Sequence, residues 1–460
     1  MDKPPFDRYL RHDELTAQVQ QFEREFDVAH LESIGTSHEG RDIWALTITG
    51  DGDPLDKPGF LVDGNIHGSE VTASATALYF AWTLLSGYGK DETITRLVDG
   101  TAIYVIPVIS PDGVELVLSG TGWVRSGTRM YPHEEERPGL HMSDVDGDGR
   151  ILSMRMEDPG GGWKISTQDE RLLVPRRFND HGGTYYRVFP EGLITDFDGV
   201  EVGMAPAKQG LDFNRNFGAN WQPEAKQSGA GEYPMSEPET RALAAFVTAH
   251  PNICGVHSLH TGMESIIRPP STQTDKQMPP EDLRRIWEIA RLGVEETGYI
   301  LFSDYKLNDD VYAIHGDFGC WCYEFLGLVA FTVELWDLRA RGGRDYLELS
   351  EMNKKRDLDG LEEVEAALLR WNDETLDGEG FTDWYAFEHP QLGAVEIGGW
   401  RRLLRNNAPE RLLEETCAKE TRFLLAHAQA SPRLHAEFHE VEALGDGVYR
   451  IAVAVRNDGY

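Results

Sequence analysis

Cysteine is scarce in this chain: Cys254, Cys320, Cys322 and Cys417 are the four present in 460 residues. So few, so spaced, they make neither a disulfide framework nor a zinc-finger pattern, and Cys320 and Cys322, which flank Trp321, read as packing residues. Positive charge is also short, with 44 Lys and Arg against 78 Asp and Glu and a formal net charge of -34. A surface of that sign repels nucleic acid and anionic membranes, so neither is expected as a partner. No long hydrophobic run occurs; the stretch "ALYFAWTLL" at 77–85 is far too short to span a bilayer. The opening "MDKPPFDRYLRHDEL" lacks the basic and then apolar segments of a secretory signal. A cytoplasmic setting is therefore the expectation for the sequence as given, and a secreted one if a signal segment was removed. There is no internal repeat.

What is present is an alternation of short apolar runs and amphipathic ones. Leu15, Val19, Phe22 and Phe26, at helical steps behind Asp13 as N-cap, predict a first helix. Strand-like runs follow at "DIWALTIT", "GFLVDGN" and "TAIYVIPVIS", with the helical "VTASATALYFAWTLL" between the last two, and later at "NICGVHSLH" and "LVAFTVELW". Further helices are predicted at "PETRALAAFVTAH", "PEDLRRIWEIARLGVEETG", "LEEVEAALLRW" and "PERLLEETCAKETRFLLAHAQA". This pattern predicts an α/β fold, a mixed twisted sheet with helices on both faces. It implies a main domain over 1–430, interrupted at 126–210 by a Gly-, Pro- and Asp-rich tract that reads as an irregular inserted lobe. Residues 431–460 read as strand, Asp-Gly turn, strand. A lone hairpin is barely stable, so it is expected either to pack on the main domain or to begin a β-domain truncated here.

Chemistry is concentrated in a few stretches. In "DGNIHGSE", His67 and Glu70 stand three residues apart just beyond a strand, where sheet enzymes build their sites. A catalytic zinc site needs one more protein ligand and an open position. His260, closing "NICGVHSLH", is a candidate; His257, three residues earlier, points to the opposite face of the strand. "GLDFNRNF" at Gly210–Phe217 sets Asn214 beside Arg215, an amide and a guanidinium fork suited to a carboxylate. "FTVELW" puts Glu334 alone among apolar neighbours, a costly position for a carboxylate without a function.

Taken in order, "HGSE", "LDFNRNF", "LHTGMESIIRPP" and "FTVEL" resemble the zinc carboxypeptidases of the carboxypeptidase A type. The resemblance runs from about Tyr9 to Ala430, leaving aside the insertion. It implies Zn2+ held by His67, Glu70 and His260, with Glu334 as the general base acting on water. It implies that Asn214 and Arg215 bind the substrate's terminal carboxylate, and it places a mobile, substrate-covering tyrosine at Tyr312, 22 residues before Glu334. For the family's oxyanion arginine, "WVRSGTR" offers Arg125 and Arg129, and Arg125 is preferred because it precedes the insertion. Counting from Glu334 also places Asp317 and Gly319 in the segment lining the side-chain pocket, with Asp317 selecting a basic terminal residue. The implied activity is that of a metallocarboxypeptidase, acting on a peptide with a free C-terminus. A zinc amide deacylase of small N-acyl amino acids and a calcium-stabilised, non-catalytic binding module are the alternatives.

Two side signals complete the reading. "SDVDGDGR" has Asp144, Asp146 and Asp148 in the D-x-D-x-D-G spacing of a calcium loop. Arg155 stands where an EF-hand has its bidentate Glu, so Ca2+ here requires a ligand from elsewhere. "HEEER" at 133–137 fails the H-E-x-x-H pattern, because Arg137 takes the second histidine's place.

Overall fold

Apolar runs bounded by Gly, Pro and Asp become strands here because nothing in them satisfies a helical period, while the longer amphipathic runs become the helices that cover them. The computed structural model describes residues 3–303, 314–457 and 459. Its eight-stranded sheet runs, edge to edge, Ala29–Thr36, Asp42–Ile48, Ala102–Ile106, Gly59–Gly64, Ile253–His260, Val329–Glu334, Ser265–Arg268 and Ile300–Ser303. The strands from Ala102–Ile106 through Val329–Glu334 are mutually parallel, and antiparallel neighbours flank them on both sides. Gly59–Gly64 and Ala102–Ile106 are buried at every residue, which explains their unbroken apolar character.

Strand alternation divides the core. Phe60, Val62, Ile103, Val105, Phe331 and Val333 pack with helices His12–Glu25, Thr72–Gly87, Pro280–Thr297 and Glu410–Gln429. Leu61, Tyr104, Val256 and Ala330 face the other way, toward helices Pro238–Ala249 and Phe318–Leu326. The first helix starts earlier than expected: Arg11 is the N-cap and Asp13 lies in the first turn. Glu14 takes over the expected capping role by accepting the Arg11 N–H at 3.1 Å.

The chain passes from Gly59–Gly64 to its neighbour on one side, Ala102–Ile106, and only later adds Ile253–His260 on the other. This reversal opens a crevice beyond the carboxyl ends of Gly59–Gly64 and Ile253–His260, the usual place for a site in an open sheet. Across that pair the Ser258 hydroxyl donates to Asp63 Oδ1 at 2.8 Å.

The tract at 126–210 is more ordered than its composition implies. Ser153–Glu157, Trp163–Ile165, Leu173–Pro175 and Tyr186–Pro190 join a hairpin of Phe381–His389 and Gly393–Trp400 in a six-stranded sheet. Gly139–Met142 pairs separately with Gly192–Thr195. Inserted strands this short cannot display a period-two pattern. At the C-terminus, Leu434–Gly445 and Val448–Asn457 form the expected hairpin, turned by Asp446 and Gly447 at φ 51° and 78°. Nearly every residue of it is exposed.

On the face opposite His260, His257 Nε2 lies 2.8 Å from Glu420 Oε1 and His257 Nδ1 lies 3.3 Å from His427 Nδ1, all three side chains buried. Burial pushes His257 down to about 3 and holds Glu420 well above the usual carboxylate range. A histidine kept neutral in the fold binds a proton more readily when unfolded, so its contribution is fully present above about pH 6.5 and is lost as the pH falls toward 3. The raised Glu420 works the other way, because the folded chain keeps a proton there that the unfolded chain has lost, so the two slopes oppose each other between about pH 4.5 and 6.5. Denaturant titrations are therefore expected to show a steeper loss of stability from pH 6.5 to 4.5 in a Glu420→Gln variant, where only the His257 slope remains, than in the natural chain. Parallel curves would show that this pair does not set the acid limit.

Candidate active site

The turn that follows Gly59–Gly64 is built to present two side chains. Asn65 takes a left-handed conformation at φ 51°, donates from Nδ2 to His67 O at 3.0 Å and accepts the Ser74 N–H at 3.0 Å. Gly68 is required there, since a Cβ would stand 2.6 Å from Gly113 Cα. From a distant segment, Asn407 Nδ2 donates to Ser69 O at 2.8 Å and Asn407 Oδ1 accepts the Thr72 N–H at 3.0 Å. The loop carrying His67 and Glu70 is thus clamped from both ends before helix Thr72–Gly87 begins.

His67, Glu70 and His260 converge, each buried, with ligand atoms within 4.8 Å of one another. His67 Nδ1 lies 2.9 Å from Glu70 Oε1, and His260 Nδ1 lies 3.1 Å from both Glu70 Oε2 and His67 Nδ1. The far nitrogens explain why the Nδ1 atoms face inward. His67 Nε2 lies 3.0 Å from Asp212 Oδ1, and His260 Nε2 lies 3.3 Å from the Ser258 hydroxyl that is itself bonded to Asp63. With the protons on Nε2, two imidazole lone pairs and a carboxylate share one small space, a repulsive set unless a cation joins them. Two nitrogens and a carboxylate are the donors of a catalytic zinc site, so the residues present fit that ion.

Electrostatics separate the two glutamates. Burial alone would raise Glu70, but His67 and Arg125 outweigh it and hold the carboxyl well below its ordinary range. Arg125 Nη1 donates to Glu70 Oε1 at 2.7 Å and its Nε to Asp212 Oδ2 at 3.3 Å. Glu334 sits in register with His260 at the end of its strand, and its Oε2 is buried without a hydrogen bond among the described residues. Burial, and then the Glu70 charge, push Glu334 well above the usual carboxylate range. A carboxylate so placed is a proton acceptor next to a metal-ligand set.

The other expected residues fall as follows. Phe213 and Phe217 anchor the "DFNRNF" turn in the core, leaving Asn214 and Arg215 between them. Asn214 Oδ1 accepts the Phe318 N–H at 2.8 Å, so the amide's donor side is what it has to offer a ligand; Arg215 Nη1 donates to Asn214 O at 2.6 Å. Asp317 caps helix Phe318–Leu326 by accepting the Cys320 N–H at 2.7 Å, and its Oδ2 is buried without a hydrogen bond among the described residues. Arg129 is bound by both oxygens of Glu237, at 2.9 and 2.7 Å, which leaves Arg125 as the arginine at the cluster. Tyr312 lies outside the described residues. Asp212 was within the quoted motif yet unassigned; its legible signal was an N-capping Asp, whose Oδ1 accepts the Asn214 N–H at 2.9 Å.

The acidic loop differs from expectation. Asp144 and Asp146 gather with Glu191, not with Asp148, whose Oδ1 instead accepts the Arg150 N–H at 2.8 Å. Glu191 precedes the strand Gly192–Thr195, far along the chain, so local spacing could not announce it. Its oxygens already accept the Val145 and Leu152 N–H groups at 2.7 and 2.8 Å.

Comparison with known proteins adds to this geometry. The family model described as zinc carboxypeptidase matches residues 15–347. Metallocarboxypeptidase A of Trichophyton tonsurans is 46% identical over 99 residues, covering 22% of this chain and 24% of that protein. The chain therefore spans about a quarter of the length of the curated relatives it first matches. Carboxypeptidase A1 of Mus musculus is 23% identical over 316 residues, covering 67% of this chain and 58% of that one. Among solved structures, carboxypeptidase A of Helicoverpa armigera aligns with 16% identity and a TM-score of 0.47, over 79% of this chain and 73% of that chain.

Because Asp212 fixes the tautomer and orientation of His67, an Asp212→Ala variant is expected to bind zinc about 10- to 100-fold more weakly. Competition with a chromophoric chelator measures this, and unchanged affinity would remove Asp212 from the site.

Proposed function

The chain belongs to the zinc carboxypeptidase family, and from that membership and the convergence of His67, Glu70 and His260 beside Glu334 we propose a zinc-dependent metallocarboxypeptidase that hydrolyses the C-terminal peptide bond of its substrate. The single observation that carries the reading is the Glu334 carboxyl group, whose Oε2 is buried without a hydrogen bond among the described residues, in register with His260. Zinc, when bound by His67, Glu70 and His260, supplies Lewis acidity and the activation of a water molecule.

The chain's own residues do the rest. Glu334 takes the proton of the attacking water at its carboxylate and passes it to the leaving amine nitrogen, so one group serves first as base and then as acid. Arg125 offers its partly exposed guanidinium to the negative charge that develops on the carbonyl oxygen. Asn214 and Arg215 hold the terminal carboxylate by charge-assisted hydrogen bonds, which selects the last peptide bond by position. Family correspondence alone adds Tyr312 to this receptor.

Asp317 deepens the side-chain pocket's preference. Its buried Oδ2 is available to a cation, which supports removal of Lys and Arg at least as readily as aromatic residues.

Hydrolysis of N-blocked dipeptides ending in Phe, Leu, Lys, Arg or Glu tests the proposal. Release of the last residue is expected to be chelator-sensitive, absent for amidated peptides, and about 10²–10⁴-fold slower in Glu334→Gln. Turnover of amidated peptides equal to that of free ones would overturn it. Asp317→Asn retains a cap oxygen and loses the charge, so it is expected to slow release of Lys and Arg while sparing Phe. Equal effects on all three would assign Asp317 to the helix cap alone.

A further inference from the structure

Arginine is at a premium in a chain with 78 acidic residues to 44 basic ones, yet two guanidiniums stand together with no ion pair among the described residues. Arg402 and Arg405, on the short helical turn Arg402–Arg405, form no ion pair among the described residues, and Arg402 Nε is buried with no hydrogen bond there. The Arg402 guanidinium lies 4.7 Å from the centre of the Trp123 ring. Both arginines line a cavity of about 260 Å³ with Trp123, Trp400, Arg339 and Asn406. Burial, and then the charge of Arg405, push Arg402 down to about 10. One acid, Glu365, also lines the cavity; it accepts from Trp400 Nε1 at 3.3 Å, and burial raises its carboxyl despite the opposing charge of Arg405. Arg339 has its own partner in Asp337 at 2.9 Å. Arg402 is partly buried and Arg405, beside it, is exposed; a partly buried guanidinium with a like charge next to it is unfavourable unless an anion joins them.

Three of the lining residues tie the cavity to the metal-ligand cluster. Trp123 stands two residues before Arg125. Asn406 precedes Asn407, whose amide holds Ser69 O. Arg339 Nη2 donates at 2.9 Å to the carbonyl of Gly262, two residues after His260. The terminal-carboxylate receptor is built on a different part of the core. Leu404, between the two arginines, packs with Ala75, Trp336 and Leu413, whereas Asn214 and Arg215 are flanked by Phe213 and Phe217 under the other face of the sheet.

We propose that this cavity binds an anionic side chain, Asp or Glu, on the acyl side of the scissile bond, with Arg402 and Arg405 as its receptor. The proposal rests on the carboxypeptidase reading for the direction in which the peptide runs. It also fits the acidic surface, whose repulsion is screened beyond about 8 Å in physiological salt while contacts inside a cavity are not.

The test compares N-blocked peptides with a common C-terminal residue that differ only by Glu or Gln at one of the positions upstream of the scissile bond. In the natural chain the Glu member of a pair is expected to have about tenfold higher kcat/KM, mostly through KM. The Glu/Gln ratio is the readout, so a general loss of folding or rate cancels. That ratio is expected to fall to near one in Arg402→Gln and in Arg405→Gln, and to survive in part in Arg402→Lys. A ratio near one for every pair in the natural chain overturns the proposal, as does a preference that both glutamine variants retain. Binding of inorganic phosphate, seen by calorimetry and lost in Arg402→Gln, without any Glu/Gln preference would assign the cavity to a free anion and overturn it too. If no peptide is hydrolysed, the carboxypeptidase reading has failed separately. Calorimetric titration with acetyl-Glu-Ala-amide and acetyl-Gln-Ala-amide then decides the cavity, and equal binding overturns it.

Discussion

Parallel pairing of Gly59–Gly64 with Ile253–His260 is the constraint on which the site depends. It brings a loop histidine and a strand-end histidine together so that two Nδ1 atoms stand 3.1 Å apart, with Glu70 closing the third side. Neither strand could deliver this alone. The arrangement survives because the surroundings over-determine it: Asp212 and Ser258 hold the far nitrogens, Asn65 shapes the turn, and Asn407 secures the loop from a segment near the other end of the chain. A cation between the three ligands turns a repulsive cluster into a stabilising one, which makes metal binding and local structure a single equilibrium.

Charge is distributed with a purpose around this point. The chain as a whole is strongly acidic, yet guanidiniums gather at the cluster and beside it: Arg125 against Glu70 and Asp212, Arg215 in the turn behind, and Arg402 with Arg405 at the neighbouring cavity. Arg215 is buried and Arg125 meets carboxylates that are themselves buried or nearly so, so these charges count for more than a pair on the open surface would. Glu70 and Glu334 are driven apart in proton affinity, one held low by His67 and Arg125 against its burial and the other raised by burial and by the Glu70 charge. One carboxylate is suited to bind a metal and the other to carry a proton.

The two sheets divide these duties. The eight-stranded sheet supplies the ligands and Glu334, while the six-stranded one, made from the tract at 126–210 and the hairpin of Phe381–His389 and Gly393–Trp400, supplies Trp400 to the arginine-lined cavity. No helix among the described residues is long and apolar enough to cross a membrane.

Local chemistry made the main sheet legible: strands buried on both faces must be continuous apolar runs, and Gly59–Gly64 and Val329–Glu334 are such runs, each ending in ionisable residues with no sequence-local reason to be there. His67, Glu70, His260, Glu334 and the Asn214–Arg215 pair were readable as candidates for that reason, because each sits in a short motif whose spacing carries meaning. The rest was not, since it depends on contacts between distant segments. Asp212 acquires its role only when it meets His67, Glu191 replaces Asp148 only because a later turn folds back, and the strands at 139–195 are too short to show a period. The Phe381–Trp400 hairpin and the meeting of Arg402 with Trp123 were likewise decided by tertiary structure alone. Residue type and spacing determine which groups can do chemistry; only packing over long sequence separations decides which of them meet, and therefore which of them do.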